Sequence, residues 1–151
     1  RLGYSGAFQE AIDVYTAGLR LNPYEPRLLR HRGHRFISLR RFPWAIADLE
    51  QARAVVLSEP DQVEPDGQPN ARGIPTSTLH SNIRYHLALA HFVTGAYAEA
   101  LSVWEEDVRL AANIDTQPIS SNRMNSVINM ACQGISVLRR QMAAKLCVKF
   151  C

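Results

Sequence analysis

Three copies of one short pattern dominate this chain: GAFQEAIDVYTAGL from Gly6, RRFPWAIADLEQA from Arg40 and GAYAEALSVWEEDV from Gly95. In each, an aromatic residue (Phe8, Phe42, Tyr97) stands three positions before an alanine (Ala11, Ala45, Ala100), and a large side chain (Tyr15, Leu49, Trp104) stands four positions after it. The first two alanines are 34 residues apart; the second and third are 55 apart, one further period of 34 plus an insertion of 21. Self-similarity at this period marks a helical repeat array, in which each unit buries its apolar face only against its neighbours. Such an array offers extended surfaces for partners rather than an enclosed catalytic pocket.

Apolar residues recur at helical spacing over residues 9–20 (Ala11, Ile12, Tyr15, Leu19), 27–40, 43–57, 80–93 and 97–112, which predicts a helix over each. Pro23 and Pro26 end the first, because a proline disfavours helical geometry in the residue before it. Pro43 fits a first helical turn, where the missing N–H is not needed. Thr94-Gly95-Ala96 reads as the turn between the last two helices, as Ser5-Gly6-Ala7 does before the first copy. The organisation expected is a truncated repeat over 1–24, a repeat over 26–57, a loop insertion over 58–79, a repeat over 80–112, and a divergent tail over 113–151. The chain opens on Arg1 rather than Met, so the reading expects a natural amino terminus upstream. Localisation is therefore left open between cytoplasmic and exported.

The insertion, SEPDQVEPDGQPNARGIPTST, holds four prolines and two glycines and few apolar residues, so it is expected to be a surface loop that supplies no core. Closure entropy grows slowly with loop length, which makes a tolerated insertion the plain alternative to a functional one. Charge is divided unevenly. Residues 1–111 hold 12 Arg, no Lys and 13 acids, whereas 112–151 hold 3 Arg, 2 Lys and one acid, so the basic balance belongs to the tail. That is weak ground for reading the whole chain as a nucleic-acid binder. All three cysteines (Cys132, Cys147, Cys151) lie in the same stretch without zinc spacing. Met124, Ile128, Ala131, Ile135, Leu138, Met142 and Leu146 form a helical stripe that could dock on the last repeat or, over 124–146, pair with a second chain. No apolar run reaches the roughly 18 residues of a membrane span.

Leu87-Ala88, Ala90, Gly95-Ala96-Tyr97, Glu99-Ala100-Leu101 and Trp104, with Gly33, Phe36, Ala45, Leu49 and Ala52 in the middle copy and Gly6, Phe8, Ala11, Tyr15 and Pro23 in the first, resemble the tetratricopeptide repeat (TPR) family over roughly residues 1–112. Arg32 departs from its pattern, where a large apolar residue is usual, and so do Gly18 and Asp107. A narrower similarity, carried by RHRGHRFISLRRF and PDGQPNARGIPTSTLHSNI, is to bacterial repeat proteins of unassigned role. The resemblance implies an all-α fold of antiparallel helix pairs stacked as a short right-handed solenoid. It also implies that the first helix of each pair lines a concave groove that takes a peptide or an extended protein segment.

On a helix over 27–41, Arg27, Arg30, His31, His34, Ser38 and Arg41 fall within about 100° of one another, opposite Leu28, Leu29, Phe36 and Leu39. Arginine forks bind carboxylates and phosphates in a bidentate manner. In some relatives, basic residues at matching places hold the terminal carboxylate of a peptide; Arg27, Arg30 and His34 correspond to those places, joined by Asn82, Tyr85 and His86 from the next pair. The candidate peptide-binding residues are therefore Arg27, Arg30, His31, His34, Ser38, Asn82, Tyr85 and His86. A solvated basic face is the plain alternative. A third reading is internal: Glu59, Asp61, Glu64 and Asp66 of the insertion could cross the groove and neutralise the stripe. Arg32, inside the apolar arc, needs an acid, with Asp48 or Asp13 as candidates.

His31 and His34 at i, i+3 lack a cysteine or acid at ligand spacing and sit among arginines, so no metal is expected. No nucleophile-base pattern, phosphate loop or carboxylate pair stands out, so neither catalysis nor a cofactor is expected. The function expected is a protein-interaction scaffold that binds a peptide, acidic in one version, in its groove. The alternatives are an RNA-binding helical repeat, in which arginines meet phosphates and Tyr85 or Phe92 stacks on a base, and a structural spacer without a ligand.

Overall fold

The computed structural model describes residues 6–65, 72–73, 77–113 and 136, with the backbone alone for 111–113. The described residues form five α-helices: α1 (Phe8–Leu21), α2 (Pro26–Ser38), α3 (Phe42–Val56), α4 (Leu79–Val93) and α5 (Tyr97–Asn113). The only β-structure among them is an isolated antiparallel bridge between Val63 and Thr78. Each helix packs on its neighbour in sequence, α1 on α2, α2 on α3, α3 on α4 and α4 on α5, and α2 also touches α4. This is a tetratricopeptide-like helical solenoid. The first helices of successive pairs, α2 and α4, stand side by side.

Local chemistry sets the helix ends. The Glu25 carboxylate accepts from the Arg27 N–H, and Pro26 occupies the first turn of α2. The Thr78 hydroxyl accepts from the Ser81 N–H at 3.2 Å and caps α4. Helix α2 stops at Ser38, two residues short of the predicted end, because Arg40 adopts a left-handed conformation with φ 57°. The Arg41 N–H then donates to the Phe36 carbonyl at 2.8 Å and the Arg40 N–H to Ile37 at 2.9 Å. The end of α4 repeats this at Gly95 (φ 85°), with Ala96 N–H donating to His91 at 2.9 Å and Gly95 N–H to Phe92 at 3.1 Å. Both are Schellman closures, which reverse the chain tightly enough for an antiparallel partner.

The repeated residues are those at the helix contacts. Ala11, Ala45 and Ala100 are 2%, 0% and 0% exposed. Leu49, Leu87, Ala88, Ala100, Val103 and Trp104 form one buried cluster, and Leu19, Leu29, Ala52, Val56, Leu79 and Ile83 another. Each fully buried leucine or isoleucine contributes roughly 1.5–3 kcal/mol. Gly33 marks the tightest approach of α2 to α3: a Cβ there would lie 2.8 Å from Leu49 Cγ and 3.3 Å from the Ala45 carbonyl oxygen. Gly18, similarly, leaves room for Leu28, whose Cδ1 would stand 2.7 Å from an added Cβ.

Two ion pairs cross the hairpins. Arg32 is gripped by Asp48, not Asp13, with Nε to Oδ2 and Nη2 to Oδ1 both at 2.7 Å, and its Nη1 donates to the Thr16 hydroxyl at 3.1 Å. Arg84 and Asp107, both buried, pair at 2.6 Å between α4 and α5, with the Ser81 hydroxyl donating to the same carboxylate. Asp107, a departure from the family pattern, is thus the counter-charge for an arginine the sequence left unassigned. Residues 114–151, which carry the three cysteines and the stripe over 124–146, lie outside the described residues apart from Ser136.

Candidate ligand groove

The candidate site lies on the shared face of α2 and α4, with Gln62 and Glu64 of the insertion set against it. Gln62 and Glu64 are held there because the insertion is stitched to the start of α4. Glu64 N–H donates to the Ser77 carbonyl at 3.1 Å, Leu79 N–H to Gln62 at 2.9 Å, and His80 N–H to the Asp61 carboxylate at 3.3 Å. Glu64 is consequently only 3% exposed, although its neighbours Val63 and Pro65 face solvent. The expectation of a surface loop fails at this residue, since an acid facing a row of arginines has a stronger reason to turn inward than to stay solvated.

Its carboxylate pairs with the Arg30 guanidinium and accepts a hydrogen bond from the Asn82 side-chain amide. Two residues earlier, the Gln62 side-chain carbonyl accepts from Arg27. Arg30 is itself only 6% exposed. Its Nη1 lies 3.2 Å from His31 Nδ1, and its buried Nε has no hydrogen-bond partner among the described residues.

Beyond this seat runs a series of rings. His31 stacks on Tyr15 of α1 with centroids 5.6 Å apart. His34 and His86 meet across the α2–α4 contact at 4.1 Å, and Tyr85 stands edge-on to His86 at 5.2 Å. Burial pushes the His34 imidazole down to about 2, helped by the nearby His86, Arg35, Arg30 and His31. Burial likewise pushes His86 down to about 4, against the opposing effect of its bond to the Asn82 carbonyl. Both are neutral near pH 7. The neutral state fits their contacts: His86 Nδ1–H donates to the Asn82 carbonyl at 2.6 Å, while His34 Nδ1 accepts from the Arg35 guanidinium at 2.7 Å.

Of the eight residues singled out from the sequence, seven occupy this face: Arg27, Arg30, His31 and His34 on α2, and Asn82, Tyr85 and His86 on α4. Ser38 does not join them. It sits exposed at the end of α2 and donates its hydroxyl back to the His34 carbonyl at 3.2 Å. Among the described residues no group of three or more His, Cys, Asp and Glu side chains could hold a metal ion, and no helix is long and apolar enough to cross a membrane.

No family model and no curated protein matches the chain. Among solved structures it is similar to a chain of the TPR2B-domain:pHsp70-complex of yeast Sti1, with a TM-score of 0.59 over 87% of this chain and 88% of that one, at 19% sequence identity. The likeness is one of fold.

Proposed function

We propose that the chain is a protein-interaction scaffold whose α2–α4 groove takes an extended peptide bearing a carboxylate, a terminal one or that of an acidic side chain. The observation that carries the reading is Glu64: a carboxylate already seated on Arg30 and Asn82 at the base of the groove. Those two residues and Arg27 thus present donors at a spacing that suits a carboxylate. The ring series of Tyr15, His31, His34, His86 and Tyr85 would flank the rest of the segment, offering flat apolar faces with polar edges. The similar fold of a domain found in a complex with pHsp70 supports a protein as the partner class.

The test is titration of the full chain with a labelled decapeptide ending in two glutamates and a free carboxylate, with its amidated form, and with single-stranded RNA. Saturable binding of the free-carboxylate peptide, weakened by amidation and abolished by Arg27→Glu/Arg30→Glu, is the expected result. RNA binding lost through the same substitutions would put nucleic acid in the groove instead. No saturable ligand would leave a spacer.

A further inference from the structure

We infer that Glu64 is a built-in competitor for this groove, so that a partner binds by exchanging its own carboxylate for that of the insertion. The inference rests on the carboxylate-binding reading and adds to it the regulation of that site.

Three observations carry it. First, the seat is exclusive: Glu64 and Arg30 are 3% and 6% exposed, so a second carboxylate has no room on Arg30 while Glu64 is in place. Gln62 occupies Arg27 beside it through an exposed hydrogen bond, which a ligand displaces more readily. Second, the seat cannot stand empty. Withdrawing Glu64 alone would strand a buried guanidinium without a counter-charge, which is strongly unfavourable. The Arg30 Nε has no partner among the described residues, so Glu64 leaves part of the donor fork unused. A carboxylate arriving along the groove in another orientation can engage that nitrogen as well.

Third, the segment that delivers Glu64 is held by polar contacts rather than by core packing. Its anchors are the Val63–Thr78 bridge, the Glu64–Ser77 and Leu79–Gln62 backbone bonds and the Asp61 carboxylate on the His80 N–H. Val63, the apolar residue between the two competing side chains, is 45% exposed. Among the described residues of this segment few apolar contacts oppose its release, so the Arg30–Glu64 pair itself sets the cost of opening, and an incoming carboxylate offsets that cost. The Gln62–Glu64 segment is therefore closed by default and released by an anion that replaces Glu64, and apparent affinity falls in proportion to the open fraction.

The experiment compares the same decapeptide on the wild-type chain, on Glu64→Gln and on Gln62→Ala/Glu64→Gln, each checked for retained helical content and a cooperative melt above the assay temperature. The expected result is a gain in affinity of at least about tenfold for the Glu64 variants, because the stranded guanidinium holds the open form below about 10% of the wild type. That gain should vanish when Arg30→Gln is added. A second measurement needs no variant: amide hydrogen exchange on the wild-type chain with saturating peptide. Faster exchange at Glu64 and Leu79, whose N–H groups hold the insertion closed, is expected. Equal affinity of wild type and Glu64 variants, with exchange unchanged or slowed, would overturn the competitor while leaving the groove reading intact, provided Arg27→Glu still abolishes binding. Absence of binding in every form would overturn both.

Discussion

Arg40 and Gly95 occupy equivalent places, each five residues before a motif alanine, and both lie in the left-handed region, at φ 57° and 85°. The turn geometry thus demands the same conformation from a residue with a side chain and from one without. A non-glycine residue there carries a cost of about 1–2 kcal/mol, part of which glycine returns as lost chain entropy. Since the Arg40 side chain is exposed, Arg40→Gly should stabilise the chain by up to ~1 kcal/mol, and Gly95→Ala should destabilise it by a similar amount. Urea unfolding of the three proteins measures this directly; identical midpoints would remove the strain argument.

Gly33 should not tolerate a methyl group. A Cβ at 2.8 Å from Leu49 Cγ forces either that leucine or the α2–α3 spacing to give, at a cost of about 1–3 kcal/mol. Gly33→Ala/Leu49→Val, with a shorter side chain opposite, should cost less than the two single changes added together. Strict additivity in a double-mutant cycle would show that the approach is not what constrains this position.

The Arg32–Asp48 pair should behave as a partly buried salt bridge in which each partner mainly offsets the other. Asp48→Ala leaves the guanidinium without its carboxylate and is expected to destabilise by about 2–4 kcal/mol, less than a fully buried pair because the Arg32 side chain is 20% exposed. Arg32→Leu/Asp48→Ala should recover most of that loss, since a large apolar residue suits the surrounding arc. Thermal melts of the single and double variants decide it: a double variant no better than Asp48→Ala would mean that the pair stabilises in its own right.

Acid should loosen the groove before it unfolds the rest. His34 and His86 have folded-state values below the ordinary 6.5, at about 2 and about 4. At these two sites the unfolded chain therefore binds more protons than the folded one below pH 6.5, so their contribution to stability rises with pH in that range, while Asp107, raised by burial, acts in the opposite sense. The contribution is fully present above pH 6.5 and is lost as pH falls towards 4 for His86 and further for His34. The His86 slope should approach ~1.4 kcal/mol per pH unit. His86→Phe should flatten the stability profile between pH 4 and 6.5; an unchanged slope would show that this imidazole does not carry the dependence.

The helices were legible because their apolar spacing, prolines and turn glycines agree with one another, as at Pro43 and Thr94-Gly95-Ala96. The early end of α2 was not, because Arg40 carries no glycine signal for the left-handed turn. The α2 side of the candidate groove follows from helical geometry and its pairing with Asn82, Tyr85 and His86 from the family resemblance; Ser38 drops out because its hydroxyl turns back onto its own helix. Which acid meets the arginines is open in the sequence among Glu59, Asp61, Glu64 and Asp66, the last of which lies outside the described residues. No local rule distinguishes four acids in proline-rich text. The choice of Glu64 depends on the antiparallel stitch between Val63 and Thr78, a pairing set by the tertiary path. The Arg84–Asp107 pair went unread for a similar reason: the two residues are 23 positions apart and meet only once α4 and α5 fold back on each other.

The insertion leaves after α3 and returns before α4, yet those two helices pack directly on each other. A connector placed this way can change in length or sequence while the α3–α4 packing on either side of it stays as it is. On the proposed reading, changes within it retune which carboxylates reach Arg30 while the load of folding stays with the helices. Selectivity in such a chain can drift quickly without putting its architecture at risk.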